Sequence, residues 1–274
     1  GGCRCAACMA PIPEMTYDPA TASDIPVSSA RFYQAVYDAA AESHERYNIG
    51  TYREKKLHLI LKRYFEPDAA YHEIPCAGFI ADILRDGHIT EIEAHSLTGL
   101  HEKLDAYLPE YTVDLVYPLA ANRFVTWIDP ETGKMSQKRR SPKKATVYDA
   151  IEECIRLRDY LSRPGLRILA VFLDIEEYRL LDGWSRDRKR GSHRYERIPQ
   201  ELRRIVVLDA RDSYARFIPE HCPDPCTVRE FASAAGIHRD CARTVLHVME
   251  GCGKRGRELL FRRVQSVTKT ETLL

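Results

Sequence analysis

Acidic residues punctuate one short stretch of this 274-residue chain in a pattern that could hold a divalent cation. Glu73 stands in YHEIP, Asp82 in GFIADIL, and Glu91-Ile92-Glu93 in HITEIEAHS. Side chains alternate along a strand, so Glu91, Glu93 and His95 are expected on one face. Asp82 lies on the preceding strand, across a turn that sets it opposite Glu91 or Glu93. Carboxylates pressed together repel and raise one another's pKa. A hard cation, Mg²⁺ or Mn²⁺, relieves that repulsion through oxygen ligands and keeps waters that can attack a phosphate. The chemistry expected is metal-dependent hydrolysis of phosphodiesters. Asp82, Glu91, Glu93 and Glu73 are the candidate ligands, with Glu93 serving as a further ligand or as the general base. The competing reading is the solvated face of an amphipathic sheet, with His95 a bystander.

The elements that must position these acids are legible from periodicity and turn residues. Leu57, Ile60, Leu61 and Tyr64 recur at helical spacing, so residues 53–65 read as an amphipathic helix that Pro67 stops. Residues 70–76, 78–85 and 88–94 read as strands. Ala77-Gly78 and Asp86-Gly87 separate them, and the second pair is a strong hairpin signal. Leu100, Leu104, Tyr107 and Leu108 mark a helix before Pro109. TVDLVYPLA and FVTWIDPETGKMS read as two further strands. Ala150, Cys154, Leu157 and Leu161 outline another helix, and LRILAVFLDI is a continuous apolar strand suited to a sheet covered on both faces. The fold class expected is α/β, with a mixed sheet and helices packed on it.

Residues 53–117, in the order helix, three strands, helix, strand, resemble the core of the PD-(D/E)XK nuclease superfamily. Asp82 matches that family's first acid and Glu91 its second. Glu93 stands where the family usually has Lys. The resemblance implies a restriction-endonuclease-like fold, a Mg-dependent phosphodiesterase, and an accessory acid for which Glu54 and Glu73 are candidates. It leaves two routes open: activity kept with Glu at that position, as in some similar restriction endonucleases, or a lysine supplied from a nearby helix. Lys103, on the helix after the third strand, is the first choice, with Lys55 and Lys56 behind it.

The chain beyond residue 226 changes character. Thr227 and Glu230 form a capping-box pattern, and Ala234, Gly236 and Ile237 suit the turn between two helices. Residues 227–264 resemble a winged helix-turn-helix. That resemblance implies a recognition helix with His238, Arg239 and Arg243 toward DNA, and a shortened basic wing with Lys254, Arg255 and Arg257. The organisation expected is a flexible leader over 1–28, a nuclease-like α/β domain over 29–210, a Pro-rich linker over 211–226 and the winged-helix domain over 227–274.

Bulk properties set the limits. Forty-one basic residues against forty acidic ones give a net charge of +1, so any polyanion must be met by local patches. Residues 134–144 carry Lys138, Arg139 and Arg140 among six bases and no acid, and these three join the candidate DNA contacts. Residues 184–204 add eight Arg and Lys against three acids, with Trp184 among them, and read as a basic surface loop. Nine cysteines, among them Cys3, Cys5 and Cys8 near the start, suit reduced thiols in a cytoplasm. No apolar run approaches the roughly 18 residues of a membrane helix. The function expected is a DNA-directed, metal-dependent endonuclease. Its partners are nucleic acid, DNA first, and a second copy of the chain. The alternative is a DNA-binding regulatory protein with a degenerate nuclease fold.

Overall fold

The computed structural model describes residues 25–45, 55–182, 191–209, 211–249, 254–255 and 258–261. Glu54, Arg257, the Cys3–Cys5–Cys8 cluster and the Trp184–Arg190 part of the basic run lie outside these residues. Among the described residues no helix is long and apolar enough to cross a membrane.

Helix α1 (Ser29–Glu45) and helix α2 (Lys55–Phe65) lead into three antiparallel strands, β1 (His72–Cys76), β2 (Phe79–Arg85) and β3 (His88–Ile92). Asp86 and Gly87 both take positive φ, 49° and 78°, as the tight turn joining β2 to β3 requires. The next connection reverses this logic. β4 (Thr112–Ile128) runs parallel to β3, and parallel neighbours cannot be joined by a tight turn. Helix α3 (His101–Tyr107) makes the crossover. β4 also pairs in parallel with β6 (Leu166–Leu180), which pairs antiparallel with β7 (His193–Leu208). The sheet order is β1-β2-β3-β4-β6-β7, with the two-residue β5 (Arg139–Arg140) attached to β4. Helix α4 (Val147–Glu153) precedes β6. The architecture is mixed α/β with a mixed sheet.

Alternation along β6 explains why the sheet is covered on both sides. Ile168, Ala170 and Phe172 enter one core with Leu104 and Tyr107 of α3 and Ile151 of α4. Leu169, Val171, Leu173 and Ile175 enter the other with Phe32 of α1 and Leu57, Ile60 and Leu61 of α2. A strand buried on both faces reads as an unbroken apolar run.

Four expectations are revised. The two strands foreseen in 112–129 are one, β4, bent where the register shifts between Ala120 and Asn122. That bulge breaks the period-two pattern without ending the strand. The basic run from Arg194 to Arg204 is not a surface loop but part of the strand β7. Residues 25–28 of the expected leader are fixed, since the Ile25 amide donates to the Ile205 carbonyl at 3.1 Å. Residues 211–226 are packed rather than free, with Tyr214, Cys222 and Cys226 buried.

The C-terminal segment shares the first core. β8 (Cys226–Thr227), α5 (Val228–Ala235), α6 (Arg239–Val248), β9 (Lys254–Arg255) and β10 (Glu258–Phe261) form two helices beside a three-stranded sheet of order β8-β10-β9. Thr227 and Glu230 make the capping box, and Gly236 takes φ 64° to end α5. Phe231, Val245, Leu246 and Phe261 bury into the same cluster as Phe172 and Tyr214. A continuous core should unfold as a unit. Phe231→Ala is therefore expected to lower global stability by about 3–5 kcal/mol while leaving a single urea transition. A separate early transition confined to the C-terminal segment would show two independent units instead.

Candidate active site

The carboxylates gather where the sheet splays. The β2–β3 ladder pairs Arg85 with His88, Leu84 with Ile89 and Ile83 with Thr90, and goes no further. Past that point the Asp82 side chain takes over part of the ladder's role, its Oδ2 accepting the Ile92 amide at 2.8 Å. The same oxygen meets His58 Nε2 of α2 at 3.0 Å. Burial alone would push the Asp82 carboxyl up. The His58 hydrogen bond and charge, with the Ile92 amide, outweigh it and hold Asp82 below its ordinary range.

Glu91 faces the other helix. Its side chain is 3% exposed, and Oε2 accepts from Lys103 Nζ of α3 at 2.8 Å. Lys103 also donates to the Ile80 carbonyl at 3.3 Å, so two of its three N–H groups are engaged. Glu91 Oε1 is buried and makes no hydrogen bond. The Tyr107 hydroxyl lies beside it, close enough that burial and the Glu91 charge push the phenol up, yet it completes no hydrogen bond of good geometry. Burial and the nearby Asp82 raise the Glu91 carboxyl despite Lys103.

Glu93 follows directly, its amide bonded to the Val116 carbonyl at 2.9 Å. It is half-buried, and burial together with the Glu91 and Asp82 charges raises it. His95 is exposed in the bend beyond. Glu73 is held by α2. It sits at φ 54°, largely exposed, and accepts from the buried Lys62 Nζ at 2.9 Å. That bond holds its carboxyl below the usual range. Lys56 pairs with Glu196 at 3.2 Å, away from the carboxylates.

The structure thus brings Asp82, Glu91, Glu93 and Lys103 together, with Glu73 bonded to Lys62 and still within reach of the Asp82 charge. Sequence reasoning missed His58 and Lys62. Their signal was present: His58, Lys62 and Glu66 recur every four residues, a polar stripe along one side of α2. It also missed Arg197 of β7, whose Nη2 donates to the Ala94 carbonyl at 2.9 Å and so ties down the backbone just after Glu93. Among the described residues no three His, Cys, Asp or Glu side chains are grouped to hold a metal ion.

The candidate DNA contacts are dispersed. His238, Arg239 and Arg243 are exposed at the start of α6, where Arg243 pairs with Asp240 at 3.0 Å. Lys254 and Arg255 form β9. Lys138 is bonded to Glu176 and Arg140 to Asn122, while Arg139 is exposed.

Residues 55–209 match the family described as a domain of unknown function, DUF8091. The chain belongs to this family. The DUF8091 match opens at α2 and closes just after β7, so it contains the whole carboxylate cluster, both helices that touch it and the full sheet. It leaves out α1 and the C-terminal helices. A protein of Treponema pallidum (strain Nichols) described as uncharacterized is 28% identical over 223 residues, 78% of this chain and 87% of that one. No solved structure matches.

The raised carboxyls of Glu91 and Glu93 carry a pH signature. A raised folded-state pKa costs the fold nothing below the ordinary carboxylate range. The penalty grows as pH climbs through the raised pKa, because the charged form is disfavoured in the native state. Glu93→Gln removes that penalty. It is expected to raise the melting temperature at neutral pH by about 2–4 °C for each kcal/mol of repulsion relieved. The gain should vanish near pH 4. Thermal melts of both proteins across pH check it; a gain equal at both pH values would show that charge is not its source.

Proposed function

We propose that this protein is a metal-dependent phosphodiesterase acting on DNA, with a restriction-endonuclease-like catalytic domain and a C-terminal winged-helix module. The observation that carries the reading is the pair Glu91 and Lys103. A buried carboxylate with one orphaned oxygen is held by a lysine from the following helix, beside Asp82 and Glu93. The order of α2, β1, β2, β3, α3 and β4 supports the same reading.

The donor set fits a hard cation. Glu91 Oε1 has no partner, both bonds of Asp82 fall on Oδ2, and Glu93 adds a half-buried carboxylate. Mg²⁺ needs only one or two such ligands beside water and phosphate oxygens. Asp82 and Glu91 would hold it, with Glu93 as a further ligand, and it would supply Lewis-acid stabilisation of phosphoryl charge and a more acidic water. The chain's own residues do the rest. Glu93, its carboxyl raised by burial and by the Glu91 and Asp82 charges, is suited to accept a proton from water. Lys103 brings a positive charge with one N–H still unengaged, positioned by Glu91, to stabilise negative charge as it develops. His58 and the Ile92 amide hold Asp82 ionised and fixed in rotamer.

Support for the DNA module is the order β8, α5, α6, β9, β10 and the exposure of His238, Arg239 and Arg243 at the start of α6. A second reading, a DNA-binding protein that does not cut, is favoured by one observation. Asp82 and Glu91 each already have an internal partner, His58 and Lys103, which could close the cluster without a metal.

Calorimetry with Mg²⁺ or Mn²⁺ separates the two. Wild type should bind, and the Asp82→Ala, Glu91→Ala double variant should not. Lys103→Ala should keep metal binding and lose plasmid nicking by about 10²–10³-fold. Absence of binding at millimolar metal with DNA present would leave the non-cutting reading.

A further inference from the structure

The sheet continues well past both cores, and its distal part carries a charge imbalance. Beyond Ile175 the next two residues on the same face of β6 are Glu177 and Arg179. This is the face that α1 and α2 cover lower down. Glu177 is 1% exposed, and three guanidinium groups from three adjacent strands surround it. Arg179 Nε of β6 donates to Oε1 at 2.6 Å, while Arg123 Nε of β4 and Arg194 Nε of β7 each stand 3.7 Å from Oε2. Among the described residues three positive charges meet one negative charge, an excess of two. The neighbouring described acids have partners of their own. Glu176 is bonded to Lys138 and the Tyr178 hydroxyl, Glu196 to Lys56, and Asp182 to His193.

Guanidinium groups gathered round one carboxylate repel one another, and Glu177 offsets one charge of the three. The side chains of Arg123, Arg179 and Arg194 are 29%, 33% and 40% exposed, so their outer N–H groups remain open to solvent. Arg179, bonded at Nε to the buried carboxylate, keeps the terminal nitrogens of its planar fork for other acceptors, and such forks suit phosphate oxygens. The cluster is also linked to the carboxylates. Arg197, the strand partner of Glu177, reaches the Ala94 carbonyl beside Glu93.

We propose that Arg123, Arg179 and Arg194, organised by Glu177, form a binding site for a backbone phosphate of the DNA strand presented to the carboxylate cluster. The site rests on the reading of that cluster as the cutting centre, but its own test needs no metal and no catalysis. Arg123→Gln with Arg194→Gln removes the two guanidiniums that make no hydrogen bond to Glu177 and leaves the Arg179 bond intact. The fold should survive, and a thermal melt confirms it. With a labelled DNA duplex in EDTA, fluorescence anisotropy should show affinity about tenfold weaker than wild type. The slope of log affinity against log salt should be shallower by about one to two. Arg123→Lys with Arg194→Lys keeps the charge and should keep most of the salt slope. Unchanged affinity and slope in the Gln variant would overturn the proposal, as would wild type that does not bind the duplex. Loss of binding in this variant beside absent metal binding at Asp82 and Glu91 would retain the phosphate site and remove the cutting centre.

Discussion

The parallel register between β3 and β4 governs the rest of this structure. Antiparallel neighbours can share a two-residue turn, but parallel ones must be joined by a crossover that passes over one face of the sheet. Here that crossover is α3, seven residues long, and its position is dictated by where β3 ends and β4 begins. Leu104 and Tyr107 bury into the sheet and leave Lys103 directed at the last residues of β3. A lysine that the strand itself does not carry is thereby delivered to Glu91. The same parallel pairing, repeated between β4 and β6, forces both sheet faces to be covered, and so produces the two cores between which the carboxylates lie.

Burial sets the energetic terms of that cluster. Glu91 and Lys103 form an ion pair in which the acid is almost wholly removed from water. Such pairs contribute little net stability, but removal of one partner strands the other, at a cost of about 3–5 kcal/mol. The arrangement therefore constrains which changes the site tolerates more than it strengthens the fold. Asp82 differs in kind. Its hydrogen bonds to His58 and the Ile92 amide replace a ladder contact that the splayed strands no longer make. One acid is thus kept charged and fixed while its two neighbours are pushed toward the protonated form. That separation of pKa values makes Asp82 the most acidic of three adjacent carboxyls.

Much of this was legible in the sequence where local rules act alone. The Asp86-Gly87 turn, the apolar stripe of α2 and the capping box at Thr227 each depend on a few adjacent residues. Asp82 and Glu91 could be brought together because a two-residue turn fixes register. What escaped notice depends on distant partners. Lys62 is a lysine on a polar stripe until Glu73 of β1 closes over it. The strand β7 reads as a basic loop because its alternating partners are charged residues on β6 rather than core. The segment 211–226, rich in Pro and Cys, reads as a linker until Tyr214, Cys222 and Cys226 are seen to fill the first core.

The far end of the sheet shows why β7 can be a strand at all. Below Ile175, apolar side chains fix which face of each strand points inward, because a slip of one residue would expose them all. Above it that device is gone, since both faces carry charge. A sheet with two polar faces has weakly specified register. Here the register is held by paired charges instead: Glu177 with Arg123, Arg179 and Arg194 on one face, and Asp174 with Asn122 and Arg203 on the other. The bulges in β7 between these pairs absorb the twist. A shift of one residue in β7 would carry Arg194 to the opposite face, away from Glu177. The buried acids of β6 thus do for the extension what Val171 and Leu173 do for the core, and they leave guanidinium groups on a surface that hydrophobic packing would have left bare.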